Sequence, residues 1–154
     1  MSRKLTAIAV LAATAAMLAT VAGAAPGAAK QRVSIDIATA GTFTLTALTP
    51  GAVKSDTGNA TFCCWTQRYI TRNGQSIEIN NPQMTLTGKR GTIVARNQIG
   101  WIDVPDGWGV FTGTWKVIRG TGAYAGLAGG GRGAGVALAN NNTKATYAGF
   151  LSLK

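Results

Sequence analysis

The sequence predicts an all-β protein: a single antiparallel meander barrel of about eight strands, following an N-terminal signal peptide. In several runs, apolar and polar residues alternate with a period of two, which is typical of strands with one buried face. Turn-forming pairs such as Asn73-Gly74 separate these runs at regular intervals, and no run beyond the N-terminus has helical spacing. Closing the meander into a barrel would remove its exposed edges. A two-sheet sandwich is the alternative.

Segment 1–24 has the features of a secretory signal peptide. Two basic residues precede an apolar run, and Ala22-Gly23-Ala24 provides a small-residue cleavage site. Cleavage there leaves 130 of the 154 residues, which suffices for one domain. Residues 25–31 would form a flexible lead-in and residues 32–154 the barrel. An uncleaved anchor is the alternative, but a run of mostly Ala and Thr is weakly apolar. The expected location is therefore secreted, outside the cell or in its envelope.

The charge of the chain limits its partners. Fifteen basic and five acidic residues give a net charge of +10, and the predicted mature form, with 13 basic residues, carries +8. Such a charge suits solubility or binding to anionic envelope polymers or lipid. Because the basic residues are scattered and export is expected, nucleic acid is disfavoured as a partner.

The two cysteines, Cys63 and Cys64, are neighbours in the chain. Adjacent Cα atoms lie about 3.8 Å apart, below the usual range for a disulfide. Two buried or half-buried thiols are therefore expected, with a vicinal disulfide as the alternative in an oxidising compartment. Because the chain has no histidine, no metal site and no histidine-dependent nucleophile are expected.

The clearest strand predictions come from four alternating runs. In each run, one alternating set of residues is predicted to lie on one side of its own strand. In chain order, these sets are Val33, Ile35 and Ile37; Ile93, Ala95, Asn97, Ile99, Trp101 and Asp103; Phe111, Gly113, Trp115 and Val117; and Ala145, Tyr147, Gly149, Leu151 and Leu153. The period of two places successive side chains on opposite faces, so each set lies on one side of its strand.

A glycine-rich stretch after the third of these runs could be mistaken for a nucleotide site. Residues 120–125 fit the dinucleotide fingerprint G-x-G-x-x-G/A. That site needs a following helix and an acidic residue about 20 positions on. The glycines in 127–135 disfavour a helix by about 1 kcal/mol each, and no acidic residue follows Asp106. Neither nucleotide nor any other cofactor is expected.

The same stretch is better explained as backbone geometry. Gly120, Gly122 and Gly126 are predicted to be structural glycines of a turn that folds Tyr124 over one end of the barrel. The glycines of 129–135 would permit bending and leave interior room, either for tryptophans or for a ligand.

These motifs support a resemblance. The run FTGTWKVIRGTGAYAGLAGGGRG at 111–133, with GTFTLTAL at 41–48 and YAGFLS at 147–152, resembles secreted bacterial proteins of the allene oxide cyclase-like barrel group. Plant dirigent proteins share a similar G-T-G-x-[YF] turn. The resemblance covers about residues 33–153. It implies an eight-stranded barrel whose relatives guide cyclisation or coupling of apolar molecules in the lumen. No catalytic motif matches, so no residue role is carried over.

The candidate ligand-binding residues are polar or aromatic groups within the predicted strands. Asn97 shares a face with Trp101 and could orient a ligand carbonyl, or be a hydrogen-bonded core residue. Trp101 and Trp115 could stack on a ligand, and Tyr69 and Tyr147 could donate a phenolic proton. Packing in the core is the alternative for all four.

The carboxylates are weaker candidates. Glu78 and Asp36 lie between apolar neighbours and are interpreted as solvated, although Glu78 is a weak acid/base candidate if the lumen is the polar side. Asp56 and Asp106 are interpreted as turn residues.

The resulting expectation is an exported small barrel that holds a small apolar ligand in its lumen. If it is catalytic, it would act by positioning reactants, as a cyclase-like or dirigent-like protein would. The alternative is a non-enzymatic basic protein that binds envelope surfaces. Ligand identity and oligomeric state are left open.

Overall fold

A computed structural model describes residues 29–38, 41–104, 108–138 and 143–154. The predicted signal peptide, most of the lead-in, and the turns predicted at 105–107 and 140–142 lie outside these residues. Within the described residues, no helix has the length and apolarity needed to cross a membrane.

Ten strands and one short 3-10 turn make up the described chain. The strands are β1 (Gln31–Ala38), β2 (Thr42–Ala47), β3 (Asp56–Cys63), β4 (Gln67–Arg72), β5 (Gln75–Asn80), β6 (Gln83–Gly88), β7 (Gly91–Val104), β8 (Trp108–Gly120), β9 (Leu127–Ala137) and β10 (Thr143–Leu153), with the 3-10 turn at Gly122–Tyr124.

Eight of these strands form a closed wall. Their order is β7-β6-β3-β2-β1-β10-β9-β8, and pairing of β8 with β7 completes the circle. Every pairing is antiparallel. The predicted single antiparallel barrel of about eight strands is confirmed.

The other two strands form a hairpin, residues 67–80, which we call the flap. It extends the β3–β6 pair beyond a break at residues 64–66 and 81–82. Strand β5 also pairs with the C-terminal half of β7. In this pairing Glu78 is the cross-strand partner of Trp101, and Asn80 is that of Ile99. Strand β4 is exposed along its whole length. The flap therefore stands at the end of the barrel where β7 finishes.

The interior is filled by inward-facing apolar side chains from all eight wall strands. Three aromatic rings occupy space left by glycines on a neighbouring strand. A Cβ at Gly133 would clash with the Tyr147 ring, one at Gly135 with Phe111, and one at Gly109 with Trp101. The glycines were predicted to leave interior space either for the protein's own aromatic side chains or for a ligand. At these positions the structure shows aromatic side chains in that space.

The other end of the barrel, which we call the closed end, is plugged by Tyr124. The ring is buried on the turn between β8 and β9. Gly122 and Gly126 on this turn have φ of 60° and 76°, where side chains are disfavoured. A Cβ at Gly120 would clash with the Tyr124 carbonyl oxygen. These three glycines therefore allow the turn to fold onto the barrel end.

A hydrogen-bonded carboxylate fixes the plug. Asp56 accepts from the Tyr124 hydroxyl at 2.8 Å and from the backbone N–H groups of Thr57, Lys89 and Arg90 at 2.9, 3.2 and 3.1 Å. These hydrogen bonds outweigh burial and hold the pKa of Asp56 below its usual value. The interpretation of Asp56 as a turn residue was wrong: it begins β3 and is buried.

Candidate functional site

Three of the predicted ligand-binding residues lie on the inner wall. Asn97, Trp115 and Tyr147 are all buried, and Asn97 pairs with Trp115 across β7 and β8. The Trp115 indole Nε1 donates to the Ala148 carbonyl oxygen at 3.3 Å. Burial raises the pKa of Tyr147 to about 12, so this phenol is neutral at physiological pH. Trp115 and Tyr147 thus contribute ordinary core packing, and Asn97 is the polar residue beside them.

The side-chain amide of Asn97 is an exception to normal core chemistry. The residue is 1% exposed, yet neither its Oδ1 nor its Nδ2 has a hydrogen-bond partner among the residues that the structure describes. Its backbone N–H donates to the Pro82 carbonyl oxygen at 2.9 Å. Leaving a buried polar group unpaired costs about 1–3 kcal/mol, and most native proteins avoid it. Asn97 therefore offers a carbonyl oxygen acceptor and an NH2 group with two N–H donors to a molecule that reaches it.

A second unpaired polar atom lies nearby on the flap. The Oδ1 atom of Asn80 is buried without a partner in the described part of the chain, while its Nδ2 donates to Glu78. Asn80 pairs with Ile99, which shares the inner face of β7 with Asn97. Diagonal neighbours on adjacent strands are about 7–8 Å apart, so a single small molecule could contact both amides.

Two carboxylates flank Trp101 at the same end. Glu78 lies opposite Trp101 on β5, and the Trp101 Nε1 donates to Asp103 Oδ1 at 2.8 Å. The indole also stacks on Phe111, with ring centroids 5.7 Å apart and planes 5° apart. Glu78 is partly buried and faces the Trp101 side. The structure therefore places this weak acid/base candidate at the mouth of the barrel.

The remaining candidate, Tyr69, lies outside the interior. It is 64% exposed on β4, where its hydroxyl donates to Glu78 at 3.2 Å and accepts from the Gln67 amide at 2.8 Å. Loss of solvent around the hydroxyl, and then the negative charges of Glu78 and Asp103, raise the pKa of Tyr69. Tyr69 therefore stands at the entrance and does not line the lumen.

We call this group of six residues the mouth cluster: Asn97, Asn80, Glu78, Trp101, Asp103 and Tyr69. Asn80 and Asp103 were not among the sequence-based candidates. Asp103 shares an alternating face with Asn97 and Trp101, a signal that could have identified it. Asn80 could not be found this way, because its position depends on the pairing of β5 with β7. Within the described residues, no group of three or more potential ligands could hold a metal ion.

The cysteines lie at the break between barrel and flap. Cys63 ends β3, and a disulfide joins it to Cys64. The expectation of two buried or half-buried thiols was wrong, because both residues are exposed and form the vicinal disulfide that was the alternative. Cys64 leaves the strand with φ of 58°, so the two side chains need not point to opposite faces.

An open groove of about 560 Å³ crosses the wall at β7, β8 and β9. Its lining residues are Asn81, Arg96, Asn97, Gln98, Thr114, Trp115, Lys116 and the glycines at 129–131. Arg96 and Lys116 pair across the two strands and are both exposed. The groove is therefore bordered by positive charge and has a floor with few side chains.

Comparison with known proteins adds no constraint on this site. No family model, curated protein or solved structure matches the chain.

Proposed function

We propose that this protein is an exported β-barrel that binds a small, largely apolar molecule at the mouth cluster. The polar end of the ligand would pair with the Asn97 amide, and its apolar body would pack near Trp101. The proposed export follows from the N-terminal pattern of basic, apolar and small residues.

The observation that carries this proposal is the unpaired amide of Asn97. Elsewhere in the barrel, the buried side chain of Gln31 has all its polar atoms bonded, as cores normally require. A polar group kept unpaired among apolar residues costs stability, and such a cost is often found at binding sites.

The resemblance to allene oxide cyclase-like and dirigent-like barrels supports the same role. Relatives of that kind act on apolar molecules by holding them in a defined geometry. We assign no catalytic residue here, and Glu78, which is paired with Trp101 across β5 and β7, remains the weak acid/base candidate.

Native mass spectrometry of the protein from its producing cells tests the proposal. The expected result is an additional mass that is lost on denaturation. An Asn97→Leu variant prepared in the same way should carry no such mass, whereas Asp36→Asn, a change on the exposed outer wall, should retain it. Wild-type protein without any bound molecule, or an Asn97→Leu variant that retains it, would contradict the proposal.

A second candidate function is non-enzymatic binding to an anionic envelope polymer. The groove bordered by Arg96 and Lys116 favours it, because its sides are positive and the glycines at 129–131 add no side chains to its lining. We expect a polyanion to bind at low salt and be released at high salt, and a double change of Arg96 and Lys116 to Gln to weaken binding. Binding that is insensitive to salt, or equal in the double variant, would argue against this function.

A further inference from the structure

The outer face of the sheet carries apolar side chains where the flap joins the barrel. Gly100 on β7 lies between Ile99 and Trp101, whose side chains belong to the core or pack against it, so a Cβ at Gly100 would point outward. That Cβ would contact the side chains of Ile77 and Ile79 at 3.6 and 3.9 Å. Both flap isoleucines therefore lie against the outer surface of β7, on the side away from the lumen.

Strand pairing extends this apolar surface into a row across five strands. Ile70 on β4 pairs with Ile77 on β5, and the register of β5 with β7 then brings Ile77 opposite Ile102. Ile102 pairs with Val110 on β8, and Val110 with Val136 on β9. We call these five residues the outer stripe. Because neighbouring strands lie about 4.8 Å apart, the stripe is about 19 Å long.

The outer stripe is partly open to solvent. Ile70 and Val110 are each 39% exposed, and the other three residues are half-buried. A contiguous apolar surface on the outside of a soluble domain commonly marks a site that binds a partner or a membrane. The charge around the stripe indicates which of these it is.

Positive charge surrounds the outer stripe. Six exposed basic residues lie on the same face of strands β4 and β7 to β10: Arg68, Arg72, Arg96, Lys116, Arg132 and Lys144. Among the residues that the structure describes, no carboxylate lies on this face between β4 and β9. Glu78 and Asp103 share the opposite face with Trp101, Asp56 is at the closed end, and Asp36 is on β1.

We infer that the outer stripe docks the protein on an anionic lipid surface. The apolar side chains of the stripe would enter the headgroup region, and the basic residues around it would contact lipid phosphates. Surfaces of this composition bind at the membrane interface through buried apolar area together with attraction to anionic lipid. A soluble polyanion would use the charges and leave the stripe in water, so lipid is the partner that fits both features. Docking of this kind does not depend on a ligand at the mouth cluster.

Cosedimentation with lipid vesicles tests this inference. The wild-type protein and every variant are isolated from the producing cells in the same way, so that any contribution of the N-terminal segment is common to all. The protein should bind vesicles of phosphatidylglycerol and phosphatidylcholine in equal parts at least about tenfold more tightly than vesicles of phosphatidylcholine alone. Binding should weaken as the salt concentration rises.

A pair of threonine substitutions tests the apolar contribution. Ile70→Thr with Val110→Thr keeps β-branched side chains at both positions and should weaken vesicle binding by about fivefold or more. The control pair, Ile118→Thr with Phe150→Thr, changes residues that are 49% and 50% exposed toward the closed end and should leave binding unchanged.

A pair of glutamine substitutions tests the ionic contribution. Arg68→Gln with Arg72→Gln should weaken binding by about tenfold. Lys89→Gln with Arg90→Gln removes the same charge at the closed end. At physiological salt, charges more than about 8 Å from the lipid are largely screened, so this control should bind within about twofold of wild type.

The contrary outcomes are distinct. No binding, or equal binding to neutral and anionic vesicles, overturns the inference, as does unchanged binding of the threonine pair. A soluble polyanion, poly-glutamate, that binds as tightly and displaces the vesicles would identify a polymer as the partner instead. Conversion of a wild-type oligomer to monomers by the threonine pair, without vesicle binding, would make the stripe an interface between copies. The ligand of the mouth cluster is tested separately by the native mass measurement.

Discussion

The two ends of the barrel differ in whether their buried polar groups are hydrogen-bonded. At the closed end, Asp56 accepts four hydrogen bonds and Gln31 makes three. Toward the flap, Asn97 and Asn80 keep three buried atoms unpaired. The same chain can therefore satisfy polar groups fully, which suggests that the unpaired ones serve a purpose other than stability.

The sharpest form of this comparison is between two buried amides. Gln31 and Asn97 are 3% and 1% exposed, so they have lost solvent to a similar degree. Gln31 holds the loop that follows β2, donating to the carbonyl oxygens of Thr49 and Val53 and accepting from the Val53 N–H. The side chain of Asn97 makes no hydrogen bond to any residue that the structure describes. The Gln31 amide therefore has a structural role, and the Asn97 amide is the one that we propose binds a ligand.

Removing the carboxylate at the closed end should have the largest effect. Asp56→Ala leaves the Tyr124 hydroxyl and the N–H groups of Lys89 and Arg90 without a partner. We expect a loss of about 3–5 kcal/mol in the free energy of unfolding, measured by urea denaturation. Asp36→Ala, at an exposed carboxylate, should cost less than about 1 kcal/mol. Equal losses in the two variants would show that the closed end is not specially stabilised.

Replacing each buried amide by leucine should give effects of opposite sign. Gln31→Leu leaves the Thr49 and Val53 carbonyl oxygens and the Val53 N–H without this hydrogen-bond partner. It should therefore destabilise the protein by about 1–3 kcal/mol. Asn97→Leu removes two unpaired polar atoms and should stabilise the ligand-free protein by about 1 kcal/mol. Denaturation of both variants in parallel measures the difference. Destabilisation by Asn97→Leu comparable to that of Gln31→Leu would mean that Asn97 is a structural residue.

The pH dependence of stability should report on the closed end. The pKa of Asp56 is lowered on folding. Its contribution to the free energy of unfolding is therefore complete above about pH 4 and is lost as the pH falls through the folded-state pKa. The pKa of Tyr124 is raised by burial and by Asp56. Its contribution to the free energy of unfolding is therefore complete below about pH 10 and is lost as the pH rises.

Tyr124→Phe tests this alkaline limb. The variant should lose about 1 kcal/mol at neutral pH and show a shallower decline above about pH 10 in thermal denaturation. Some decline should persist, because burial also raises the pKa of Tyr147. An unchanged alkaline limb would show that folding does not raise the pKa of Tyr124.

The flap should give the smallest change in stability. Tyr69→Phe removes one hydroxyl from a side chain that is mostly in solvent, and the free energy of unfolding should change by less than about 0.5 kcal/mol. Chemical denaturation of this variant beside Tyr124→Phe compares a phenol at each end of the barrel. A loss as large as that of Tyr124→Phe would contradict the distinction between the two ends.

The sequence predicted the barrel because several of its strands alternate with a period of two and its turns contain residues suited to tight bends. Local patterns of this kind also put Asn97, Trp115 and Tyr147 on the same strand faces as apolar neighbours, and the structure buries these three residues. Two features escaped prediction. The buried role of Asp56 depends on Tyr124, 68 residues away, and that of Asn80 on pairing with β7. Contacts between distant segments leave no periodic signal in the chain.

The bond between Cys63 and Cys64 spans a single peptide unit. A cross-link stabilises a fold mainly by shortening the loop that the unfolded chain must close, and this one encloses no loop of that kind. The barrel instead draws its cohesion from strand pairing around a complete circle. Treatment with a thiol reductant should therefore open the bond while the melting temperature stays nearly constant, so reducing conditions alone would not denature this protein.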